Sequence, residues 1–151
     1  MKSGADRAPT QARAGWQHGW YVVPMQVIFR DLDPFGHVNN AVFFNYFEWA
    51  HTSMWLDLTG KRDVSGVTFI VARAECDFRM QLALEPIEVR VRIENMRTTS
   101  FDFISEVRKS NGELAATGKV VVVLFDWNKQ AKVPISDELR TAVAMFQKRE
   151  D

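Results

Sequence analysis

The stretch "FRDLDPFGHVNNAVFFNYFEWAHTSMWLDLTG", Phe29 to Gly60, holds two patterns back to back. In its second part Phe43, Phe47, Ala50, Met54 and Leu58 recur at steps of 4, 3, 4 and 4, the spacing of one helix face. Phe44, Tyr46 and Trp55 add further apolar faces, which predicts a long helix buried on most sides. Gly60 closes it, since a glycine accepts the left-handed backbone of a helix end. The first part, Phe29–Asn40, packs two aspartates, a histidine, a glycine and two asparagines into twelve residues. Asp33-Pro34-Phe35-Gly36 fits a type I turn, and Asn39 or Asn40 then caps the helix. On that account every polar residue except His37 has a structural task.

The flanking segments read as strands. Before the turn, "YVVPMQVIFR" (21–30) sets Val23, Met25, Val27 and Phe29 against Gln26 and Arg30. Pro24 donates no backbone hydrogen bond, which places the start of this strand at a sheet edge. After the helix the period drops to two. "TFIVARAECDFRMQL" alternates Ile70, Ala72, Ala74, Cys76, Phe78 and Met80 against Arg73, Glu75, Asp77 and Arg79, and "IEVRVRIENM" does the same. "SFDFISEVRK" and "ELAATGKVVVVLFDW" flank Asn111-Gly112, a strong hairpin signal. Ser136 caps a short amphipathic helix in "SDELRTAVAMFQKRE". The expected fold is α+β: a five-stranded antiparallel sheet wrapped around one long central helix, plus a C-terminal helix. Residues 1–20 read as a polar, disordered tail, and residues 21–147 as a single domain. So small a sheet leaves edges that invite a second subunit.

Bulk composition excludes several functions. Nineteen basic and nineteen acidic residues cancel, which argues against nucleic acid as a partner. The single cysteine, Cys76, can form no internal disulfide and reads as a small core hydrophobe. No segment approaches the roughly 20 apolar residues of a membrane span, and the N-terminus lacks the apolar run of a signal peptide. A cytoplasmic protein with no membrane partner is expected.

The position of the polar turn points to chemistry. The first amides of a buried helix are unsatisfied donors at the positive end of a dipole. A carbonyl oxygen there is stabilised as it gains negative charge, and a carboxylate just upstream can act as base or nucleophile. Those are the parts of an acyl-transfer hydrolysis.

"DLDPFGHVNNAVFFNYFEWA" resembles the Asp-x-Asp-x-x-Gly-His-Val-Asn-Asn signature of hotdog-fold acyl thioesterases of the 4-hydroxybenzoyl-CoA thioesterase type. It is similar also to the catalytic segment of acyl-ACP thioesterases, and the strand order matches from Tyr21 to Val133. The resemblance implies a hotdog fold and an acyl-CoA thioesterase that uses water and no cofactor or metal. It places the catalytic carboxylate on Asp33 and leaves Asp31 structural. It assigns the carbonyl-polarising N–H to Asn40, with Gly36 allowing close approach of the backbone. His37 matches a catalytic histidine of the acyl-ACP enzymes, which carry an asparagine where this chain has Phe35; the 4-hydroxybenzoyl-CoA enzymes have no histidine there. "NMRTTSF" sits where the family binds CoA, making Arg97 the phosphate contact, with Thr98 and Thr99 beside it. Glu48 is the lesser candidate, because another hotdog subclass puts its catalytic glutamate on this helix. His51 reads as a packed helix residue. The implied partners are acyl-CoA or an acyl carrier protein, and further copies of the chain in a homodimer or homotetramer with each site at a subunit boundary. A hydratase is disfavoured: its Asp and His stand five apart with an Asn between, whereas Asp33 and His37 are four apart without one. An acyl-CoA-binding module without turnover is the remaining alternative.

Overall fold

The structure, a computed structural model, describes residues 13–63 and 67–148. Seven strands and two α-helices follow one another: β1 (Gly15–Gln17), β2 (Trp20–Gln26), α1 (Asn40–Thr59), β3 (Phe69–Phe78), β4 (Pro86–Glu94), β5 (Ser100–Lys109), β6 (Leu114–Asp126), β7 (Ala131–Lys132) and α2 (Asp137–Phe146). The sheet order is β1-β2-β4-β5-β6-β3, every neighbouring pair is antiparallel, and β7 adds to the end of β6. Five long strands curl around α1 as expected, and the two short ones extend them. The alternation in β4 resolves as predicted, with Ile87, Val89, Val91 and Ile93 buried against the helix. Phe101, Phe103 and Val107 of β5 and Val122 of β6 complete the inner face, all fully buried. At Gly118 a Cβ would stand 2.6 Å from the Phe47 ring, so the absent side chain lets β6 close on the helix. Asn111-Gly112 turns the β5–β6 hairpin, and Ser136 Oγ accepts from the Leu139 amide to cap α2.

Four expectations change. Residues 15–17 pair with β2, so the ordered domain starts before residue 21; residues 1–12 lie outside the described part of the chain. β2 stops at Gln26 and a 3₁₀ turn over Phe29–Asp31, held by Asp31 accepting from the Ile28 amide, leaves the Phe29 ring in solvent. β2 also has neighbours on both sides, but β1 pairs only as far as Val22, so Pro24 lies beyond its reach. In β3, Val71 pairs with Val122 and Arg73 with Val121, leaving Ala72 as a bulge. The bulge transfers Phe69 and Val71 to the helix side with Ala74, Cys76 and Phe78, and moves Ile70 to the outside.

Helix α1 buries Phe43, Tyr46, Phe47, Ala50, His51, Met54, Trp55 and Leu58. It is open along Asn45, Glu48 and Trp49, so it is less enclosed than its aromatic content predicts. β3 is an edge strand, and Val71 and Phe78 on its helix side stay exposed. Cys76 is half-buried there, and burial, then Asp77, pushes its thiol up to about 11, which keeps it protonated and unreactive.

Candidate active site

The turn between β2 and α1 closes on itself. The Gly36 amide donates to the Asp33 carbonyl at 3.0 Å and the Asp33 amide to the His37 carbonyl at 2.8 Å. Asp33 Oδ1 accepts from the amides of Phe35 (2.9 Å) and His37 (3.4 Å). Asp33 Oδ2 takes no hydrogen bond among the described residues. One carboxylate oxygen therefore builds the turn while the other is left without a hydrogen bond among the described residues. Gly36 has φ +82°, and a Cβ there would meet nothing within 4 Å. Within this chain the glycine serves the left-handed backbone of the turn rather than a close approach.

Asp31 holds the turn to the helix. Its Oδ2 accepts from the Ile28 amide at 3.1 Å and from the Tyr46 hydroxyl at 2.8 Å, and its carbonyl accepts from the Asn39 amide at 3.0 Å. Burial, and then the bond to Asp31, raises the Tyr46 pKa and keeps its proton in place. Nothing in the local sequence marks this pair, which joins residues fifteen apart. Asn39 is the cap, its Oδ1 accepting from the Ala41 amide at 2.9 Å. Asn40 is thus the first helical residue, and its amide has no acceptor among the described residues. The His37 ring is half-buried and likewise makes no hydrogen bond there; only its backbone closes the turn.

A cavity of ≈ 160 Å³ is lined by Asn40 together with Val38, Phe43, Phe78, Arg79, Met80 and Gln81. A larger one, ≈ 410 Å³, lies further along the same seam between α1 and β3, where Glu48 and His51 line it.

The Arg97 loop stands elsewhere. Phe101, just beyond it, stacks on Trp55 near the last turn of α1, whereas Asp33 and Asn40 sit at the first. Within one chain, Asp33, Gly36, His37 and Asn40 come together, and Arg97, Thr98 and Thr99 do not join them. Arg97 donates through both terminal nitrogens to Asp102, at 2.9 and 3.2 Å. The Thr98 and Thr99 carbonyls accept from the Ile135 and Leu124 amides. Asp102, which the sequence reading passed over, has no exposed surface although it lies on the outer side of β5. Burial pushes its carboxyl up, but hydrogen bonds from Arg97 and Asn95 and the charges of Arg97 and Lys119 outweigh this and hold it below the usual carboxylate value.

Among the described residues no group of three or more His, Cys, Asp or Glu is placed to hold a metal ion, and no helix is long and apolar enough to cross a membrane.

Comparison with known proteins gives the family and the fold. The profile of the Thioesterase-like superfamily matches residues 27–143. A thioesterase from Thermus thermophilus, solved with coenzyme A and zinc, is 32% identical with a TM-score of 0.75, covering 85% of this chain and 95% of that one. A predicted thioesterase from Bacillus stearothermophilus shares the fold at 22% identity and a TM-score of 0.78, over 87% of this chain and 99% of that one. The YsmA protein of Bacillus subtilis is 28% identical over 115 residues, 76% of this chain and 78% of its own length.

Proposed function

Because the chain belongs to the Thioesterase-like superfamily, we propose that it is an acyl-CoA thioesterase, releasing a free carboxylic acid and CoA. The observation that carries this is the pairing of a free carboxylate oxygen, Asp33 Oδ2, with an unsatisfied helix-start amide, Asn40 N–H, at the two ends of one closed turn. In the reaction the Asn40 amide donates to the thioester oxygen as negative charge gathers there, aided by the helix dipole. Asp33 either removes a proton from the attacking water, so that acid and CoA thiolate form directly, or attacks the carbonyl itself, expelling CoA thiolate and forming a mixed anhydride that water then hydrolyses to the free acid and the regenerated carboxylate. The Thermus thermophilus relative was solved with coenzyme A, which supports CoA as the carrier. Incubation with a panel of acyl-CoAs and a thiol-detecting reagent tests the reading. Release of CoA supports it; reversible addition across an enoyl thioester would make the protein a hydratase, and saturable binding without turnover a binding module.

A second assignment of the carboxylate has an observation behind it: Glu48 lines the ≈ 410 Å³ cavity and Asp33 does not. Glu48 is then the base or nucleophile acting from the helix.

The active unit is a homodimer on this reading. β3 is an unpaired edge with Val71 and Phe78 exposed, and an antiparallel partner would satisfy it. Its Phe78 end adjoins Asn40, while its Phe69 end adjoins β6 at Leu124, where the Thr99 carbonyl is bonded. Two-fold pairing of β3 with β3 would bring the Asp33 end of one protomer to the end of the partner's sheet that carries its Arg97 loop, set one strand, β6, behind β3. That arrangement would give Arg97, Thr98 and Thr99 access to the CoA of the neighbouring site. Light scattering at micromolar concentration should give at least twice the 17.4 kDa of one chain. A monomer mass would remove both the dimer and the shared site.

A further inference from the structure

The turn that carries Asp33 is a small arm. Leu32 and Val38 form an isolated antiparallel bridge at its base, and Phe35 near its tip is 85% exposed. Among the described residues, two hydrogen bonds tie that base to the elements around it. On one side the Val38 amide donates to the Leu82 carbonyl, in the loop before β4, at 2.8 Å. On the other the Tyr46 hydroxyl donates to Asp31 Oδ2 at 2.8 Å. The amides of Ile28 and Asn39 also bond Asp31, but both belong to the loop that includes the arm, since Asn39 is the cap outside α1. Tyr46, in the second turn, supplies the bond that the body of α1 makes to the Asp31 side of the arm.

We propose that Tyr46 is a positioning residue of the reaction: through Asp31 it fixes the Asp33 carboxylate relative to the Asn40 amide. The proposal rests on the thioesterase reading, with Asp33 and Asn40 as the working groups, and adds the residue that sets their separation. Asn40 and Tyr46 belong to one rigid helix, about 9 Å apart along its axis. Asp31 stands two residues before Asp33. The helix that carries the amide thus also holds the chain leading to the carboxylate. Without the hydroxyl, the Asp31 side is bonded only within its own loop, and the arm can pivot about the Val38–Leu82 bond. A shift of about 1 Å in a reacting group is enough to cost about 10²-fold in rate. The tyrosine is built for the task. Its ring is buried and packs edge-on against Phe43, with centroids 6.0 Å apart, so the hydroxyl has a fixed place. Burial, and then Asp31, raises its pKa, so the proton stays available to donate. Asp31 acts here as an acceptor, its Oδ2 taken up by two donors.

Tyr46→Phe removes the hydroxyl and keeps the ring. It should lower kcat for acyl-CoA about tenfold or more and leave KM within about twofold, the sign of an interaction that counts only in the transition state. Asp31→Ala should do the same. The double variant should be no slower than the slower single one, because both changes break one bond. Asp31→Asn keeps an oxygen for the tyrosine to donate to, and should recover most of kcat. In an Asp33→Asn background Tyr46→Phe should alter the residual rate by less than about twofold, since there is no carboxylate left to place; a general loosening of the fold would slow both backgrounds alike. A kcat retained in Tyr46→Phe, additive losses, or Asp31→Asn as slow as Asp31→Ala would overturn the proposal, the last by making the Asp31 charge itself the requirement. If the wild type hydrolyses no thioester, the thioesterase reading fails on its own, and amide hydrogen exchange decides the geometric claim. Tyr46→Phe should then speed exchange at the Asp33 and Asn39 amides about tenfold and leave β4 and β5 unchanged. Equal exchange at those two amides refutes it.

Discussion

Asp33→Asn should fold normally and lose kcat by a factor on the order of 10² or more. The two halves of that outcome come from different oxygens. Oδ1 builds the turn by accepting from the Phe35 and His37 amides, and the asparagine carbonyl oxygen can take both bonds over. The backbone bonds from Gly36 and to His37 do not involve the side chain at all. Stability should therefore change by less than about 1 kcal/mol. Oδ2, the oxygen free for chemistry, is replaced by an amide nitrogen that can neither accept a proton nor attack a carbonyl. Asp33→Ala removes both functions and should cost about 1–2 kcal/mol in addition, for two lost bonds. His37→Ala sharpens the assignment. Since the His37 ring makes no hydrogen bond among the described residues, its removal should leave thermal stability nearly unchanged, and any large loss of kcat then belongs to the reaction. Should Asp33→Asn hydrolyse thioesters at the wild-type rate while Glu48→Gln does not, the carboxylate of the reaction is the one on the helix.

Much of this was legible in the chain because local rules set it. The 4-3-4-4 spacing of Phe43 to Leu58 gave α1, Asn111-Gly112 gave the β5–β6 turn, and Asp33-Pro34-Phe35-Gly36 gave the turn that carries the carboxylate. What escaped depends on partners distant in sequence. The bulge at Ala72 shows in the pairing of β3 with β6, whereas the β3 sequence gives only the unbroken apolar run Phe69–Ala72, which does not say where the face changes. The 3₁₀ turn that exposes Phe29 is fixed by Asp31 accepting from the Ile28 amide while it also holds Tyr46. His51 read as a packing residue because its partner, Ser105, lies fifty-four positions away. Asp102 was invisible for the same reason: on the outward side of an alternating strand, an aspartate reads as solvated surface.

Asp102→Ala should be the most destabilising single polar substitution in the sheet, at about 3 kcal/mol, the low end for breaking a buried charge pair. The carboxylate has no exposed surface and gathers Arg97, Asn95 and Lys119 around it. The figure stays at the low end because Arg97 is itself half exposed and water can take over its guanidinium. The acid response has a definite sign. The Asp102 pKa is lowered in the folded protein, so its stabilisation is complete above the ordinary carboxylate value of 3.8 and disappears as the pH falls through the lower folded value. Denaturant unfolding across that range should show a steeper acid loss in the wild type than in Asp102→Asn. The same measurement bears on CoA. If Arg97 only anchors Asp102, Arg97→Ala lowers stability and leaves KM for acyl-CoA where it was. If it also meets a CoA phosphate across the β3–β3 boundary, KM rises with kcat nearly constant, the sign of lost uniform binding. Arg97 can do both, because Asp102 occupies its terminal nitrogens from one side only and thereby fixes the direction in which the guanidinium presents its remaining donors. A KM that rises equally in Arg97→Ala and Asp102→Ala would identify Asp102 as the residue that positions this contact.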